Sequence, residues 1–97
     1  PLMRIDTAVV EILGCRIALA FPHPSYIGPG GGDLLIQRLQ PFFPTIGIML
    51  VTLEWGEERA YATFETDKLL AALDIDQIFL KEVNLDHPPE DDSAPPF

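Results

Sequence analysis

Ninety-seven residues limit the chain to one domain of ordinary size. A hydrophobic content of 47% supports a folded core, and fifteen acids against six bases leave a formal charge of −9. That balance excludes a basic phosphate-binding surface as the default mode of action, and no apolar run is long enough to span a membrane as a helix. No secretory signal is seen and Cys15 is the only cysteine, so no internal disulfide forms and a cytoplasmic location is expected.

In chain order, residues 4–13 (RIDTAVVEIL) carry the Ile, Val and Thr content of a strand, with a helix ending at Gly14 as the rival. Residues 15–21 alternate, with Cys15, Ile17, Leu19 and Phe21 on one face, and Gly14 marks a hairpin turn between the two segments. Cys15 itself is expected to be a small buried apolar residue. Residues 22–32 hold three prolines and four glycines and form a loop. Asp33 then stands as the N-cap of a short helix whose Leu35 and Leu39 share a face.

Pro41 and Pro44 close that helix. Residues 45–53 are apolar on both faces, which predicts a strand covered on two sides. Residues 54–58 turn the chain, and 59–66 return with Ala60, Ala62 and Phe64 on one face. Thr66 or Asp67 caps a second helix bearing Leu69, Leu70 and Leu73, and 77–83 form the last strand.

Together these elements predict an α+β domain over residues 3–85. Its expected form is an antiparallel sheet with two short helices on one face, in ferredoxin-like βαββαβ order preceded by an extra N-terminal strand. Such an arrangement leaves an apolar set (Ile46, Ile48, Leu50, or Met49, Val51, Leu53) on an open face. The extra strand, a homodimer partner or another protein would have to cover it.

The charge is unevenly placed. Residues 1–50 hold three bases and three acids, so the whole excess falls in residues 51–97, where three bases meet twelve acids. Four of those acids (Asp86, Glu90, Asp91, Asp92) lie in residues 86–97, a flexible proline-rich tail. The ending of that tail, with Asp91, Asp92, Pro96 and Phe97, resembles the acidic tip of bacterial single-stranded-DNA-binding proteins. The resemblance implies a docking peptide whose Phe enters a partner's pocket and whose carboxylate meets basic residues. It covers about ten residues, and the rest of the chain lacks the basic, aromatic-lined barrel of such proteins.

No motif fixes a chemistry. The glycine loop 28–32 is followed by Asp33 and Leu34 where a phosphate loop needs Lys and a hydroxyl residue. His23, His87 and Cys15 have no metal-ligand spacing, so no cofactor and no catalytic residue is assigned and the chain is read as a non-enzyme. What remains is an interaction module of inhibitor, immunity or adaptor type. It would bind a basic protein partner through Glu54, Glu57, Glu58, Glu65, Asp74 and Asp76, with Trp55 either folded back or standing out as an anchor. The alternatives are an accessory factor of DNA metabolism that docks through its tail, and a dimeric small-molecule-binding domain.

Overall fold

A computed structural model describes residues 4–54, 56–74 and 78–86. Strand β1 (Arg4–Ile12) and strand β2 (Cys15–Phe21) form a hairpin in which Ile12 faces Cys15. The two-residue turn between them has positive φ at both Leu13 (52°) and Gly14 (80°), the mirror-image turn whose twist suits paired strands. A 3₁₀ turn (Pro24–Tyr26) leads to helix α1 (Gly31–Leu39), and a second 3₁₀ turn (Gln40–Phe42) follows it. Strands β3 (Gly47–Glu54) and β4 (Glu57–Tyr61), helix α2 (Asp67–Ala72) and strand β5 (Lys81–Asn84) complete the described elements.

The five strands make one sheet in the order β4-β3-β2-β1-β5. Three pairings are antiparallel, but β2 and β3 run parallel, Ile17 beside Gly47 and Ala20 beside Leu50. The fold is therefore α+β with a mixed sheet, not the antiparallel ferredoxin-like sheet expected. A split βαβ unit holds another strand between its two parallel strands, whereas β2 and β3 pair directly.

The helices also lie on opposite faces rather than on one. Leu35, Ile36 and Leu39 of α1 pack with Ala18, Ala20, Ile48 and Leu50. Leu69 and Leu70 of α2, with Leu73 just beyond it, pack against Ile17, Leu19, Met49 and Val51. The physical reason is in β2 and β3, which are apolar on both sides and bury both sides only when each is covered. Of the residues assigned to an open face, Ile48, Met49, Leu50 and Val51 are buried, Ile46 is half-buried, and only Leu53 is exposed at 61%. Helices α1 and α2 of the chain itself thus cover most of the apolar set for which the extra strand, a second copy or another protein is the expected cover.

Side chains stitch the connections. The Gln40 amide nitrogen donates to the carbonyls of Phe43 (2.6 Å) and Ile46 (3.2 Å), shaping the path from α1 into β3. Thr7 Oγ1 donates to the Lys81 carbonyl at 2.8 Å, pinning the start of β5 to β1.

Candidate functional site

Helix α2 has six residues and is about 9 Å long, against a five-stranded sheet roughly 19 Å across. It ends because Leu73 turns to extended geometry (φ −77°, ψ 132°). So short a helix seals the centre of its face and leaves a groove on each side.

The first groove, about 390 Å³, lies between β4 and α2 and is lined by Glu57, Glu58, Asp67, Leu70 and Ala71. Three exposed acidic residues from two elements thus contribute to one lining beside Leu70 and Ala71. In the β3–β4 register Leu53 lies opposite Glu58 and Glu54 opposite Glu57. The second groove, about 310 Å³, lies between the end of α2 and β1, where Val10, Ile12, Leu73 and Ile78 line it beside Glu11 and Asp74. A third hollow of about 320 Å³, lined mainly by Ile17, Gly47, Phe64 and Leu69, is apolar apart from Arg16.

Of the residues proposed for partner binding, Glu57 and Glu58 share the first groove and Asp74 lines the second. Glu65 is exposed but lines neither. Trp55 and Asp76, the side chain of Glu54, and the tail residues Asp91, Asp92, Pro96 and Phe97 lie outside what the structure describes. Sequence reasoning missed Glu11 and Asp67. Asp67 figures in the sequence only as a candidate helix cap, and Glu11 belongs to the electroneutral half, although it interrupts the apolar run Ala8–Ile12.

The loop residues take other roles. The N-cap of α1 is Gly30 (φ 86°), not Asp33, which sits in the helix's first turn. There the Tyr61 hydroxyl donates to Asp33 Oδ1 at 2.7 Å. This hydrogen bond, then desolvation and the carboxylate's charge, hold the Tyr61 phenol above its ordinary pKa. Gly32 lets the contact form, because a Cβ there would lie 2.6 Å from the Tyr26 carbonyl and 2.8 Å from Tyr61 Cδ2.

His23 is exposed and its Nδ1 accepts from the Ser25 amide at 3.1 Å, capping the first 3₁₀ turn. Cys15 is exposed rather than buried, since it opens β2 at the hairpin end of the sheet. Among the described residues, no three His, Cys, Asp or Glu side chains gather as a metal site. No helix of the described residues is long and apolar enough to cross a membrane. Comparisons with family models, with curated proteins and with solved structures find no match.

Proposed function

We propose that this chain is a non-catalytic protein-binding module whose α2 side receives a basic protein partner. The observation that carries the reading is that Glu57, Glu58 and Asp67 all line one shallow groove beside Leu70 and Ala71. Clustered acidic residues add a local negative field to a molecule already at −9, which speeds encounter with a cationic surface and favours one orientation. Leu70 and Ala71 supply apolar area that charge alone does not. The partner therefore presents Lys or Arg around a small apolar side chain.

The test compares the natural chain with the triple variant Glu57→Gln, Glu58→Gln, Asp67→Asn as baits in cells of its source. Mass spectrometry identifies what each retains. A basic protein held by the natural chain and lost by the variant supports the reading, provided its association also slows steeply as salt rises. Identical retained sets, or association indifferent to salt, overturn it.

A further inference from the structure

Strand β3 outlasts its parallel neighbour. Ile17–Ala20 of β2 pair with Gly47–Leu50, β2 ends at Phe21, and β3 runs on to Glu54. Pro22 has no N–H with which to extend the ladder, so the chain leaves the sheet there and enters the 3₁₀ turn Pro24–Tyr26. A hollow of about 230 Å³ opens at this point. It is lined by Phe21, Pro22 and Pro24 of the departing chain and by Val51, Thr52 and Leu53 of β3.

Five of these six side chains are hydrocarbon and none is charged. The sixth, that of Thr52, carries a hydroxyl on a residue only 5% exposed, and Oγ1 has no hydrogen-bond partner among the described residues. A hydroxyl buried unpaired costs stability, and native structures leave few such groups without a reason. Valine fills the same shape without that cost, so packing alone does not call for threonine here. A ligand that brings the missing partner does.

We infer that the hollow beside Thr52 is a binding site for a small neutral molecule of the phenol class, a single ring carrying one hydroxyl. Its volume exceeds the roughly 150 Å³ in which an apolar cavity holds benzene. Hydrocarbon walls exclude a charged ligand, because nothing in them offsets its desolvation. The Phe21 ring packs edge-to-face or offset against the ligand's ring, and the two proline rings add apolar surface. The Thr52 hydroxyl, which both donates and accepts, pairs with the ligand's hydroxyl. Because Oγ1 is buried, a turn of the Thr52 side chain presents it to the ligand. The hollow shares no lining residue with the acidic groove, so the inference stands apart from the basic-partner reading.

The probe is phenol, with toluene as a ring of the same size lacking the hydroxyl. Each is titrated into the full chain with amide and methyl shifts followed by NMR. Saturable phenol shifts at Phe21, Val51, Thr52 and Leu53 are expected. Thr52→Val should weaken phenol about tenfold while leaving toluene unchanged, since only phenol loses a hydrogen bond. Thr52→Ser keeps the hydroxyl and should retain most of the phenol affinity. Melting curves of all three chains establish that each is folded.

Phenol and toluene weakened alike by Thr52→Val, or neither weakened, overturns the inference, because the hydroxyl then selects nothing. Phenol that shifts only residues of another hollow, such as Phe64 and Leu69, overturns it too, as does the absence of any shift. Binding that appears only after Trp55→Ala assigns the hollow to this chain's own indole and overturns the inference as well.

Discussion

The Tyr61 hydroxyl and Asp33 Oδ1, 2.7 Å apart, tie edge strand β4 to the first turn of α1. The carboxylate also sits where the helix's N-terminal amides favour negative charge. Tyr61→Phe should lower the melting temperature, and the effect has a defined pH window. A phenol pKa raised on folding means that the native state favours the neutral hydroxyl. The stabilisation is therefore whole below the unfolded tyrosine pKa of about 10 and is lost as pH climbs through the higher folded value. Melting curves of both proteins across that range should converge at the alkaline end. Spectrophotometric titration should show the variant without the late-forming Tyr61 phenolate. A melting difference constant with pH would disprove the linkage.

Gly32 and Gly31 form a matched pair for testing how α1 is seated. A methyl group at Gly32 meets the backbone of Tyr26 at 2.6 Å and the ring of Tyr61 at 2.8 Å, whereas at Gly31 the nearest atom is at 3.6 Å. Gly32→Ala should therefore cost about 1–3 kcal/mol through overpacking, despite alanine's better helix propensity. Gly31→Ala should add roughly 0.5 kcal/mol by restricting the unfolded chain. Urea denaturation distinguishes the two signs.

Leu13 occupies a turn position that disfavours it. Its φ of 52° places Cβ against its own backbone, and its side chain is 64% exposed. An L-residue with a Cβ pays about 1–2 kcal/mol there, while Asn tolerates the conformation. Leu13→Asn should raise stability by about 1 kcal/mol and keep the Ile12–Cys15 register, read from cross-strand nuclear Overhauser contacts. A loss of stability would show that Leu13 makes a contact worth more than the strain.

Much of this framework is legible in the residues. Gly14 marks the β1–β2 turn, the two-sided apolar pattern of 45–53 predicts the double burial of β3, and Ala60, Ala62 and Phe64 do share one cluster. What alternation cannot convey is which strand lies beside which. The parallel pairing of β2 and β3 depends on where α1 returns the chain, and α1's seating depends on the close approach at Gly32. The placement of α2 was nonetheless implied by β2 itself, where Ile17 and Leu19 face one way and Ala18 and Ala20 the other, all buried. In the acidic groove, Glu57 and Glu58 could be found from the turn. Asp67 joins them only because the chain folds back after β4 and sets the start of α2 beside it, a turn that alternation along β4 does not convey.

Thr52 reports on the quality of the core beneath the 3₁₀ turn. It is 5% exposed, and its Oγ1 is buried without a hydrogen-bond partner among the described residues. It lies at the end of β3 beside a hollow of about 230 Å³ lined mostly by Phe21, Pro22, Pro24, Val51 and Leu53. The pyrrolidine rings carry no N–H to offer a hydroxyl, and the other lining side chains are hydrocarbon. A buried hydroxyl left unpaired costs about 1–3 kcal/mol, and valine has the same shape without the oxygen. Thr52→Val should therefore raise the urea midpoint with the slope unchanged, a gain in unfolding free energy of about 1 kcal/mol once the small volume difference is included. A fall in stability of similar size would mean that the hydroxyl is bonded in solution, with an ordered water in the hollow as its partner, and high-resolution diffraction from crystals of the natural chain would locate that water.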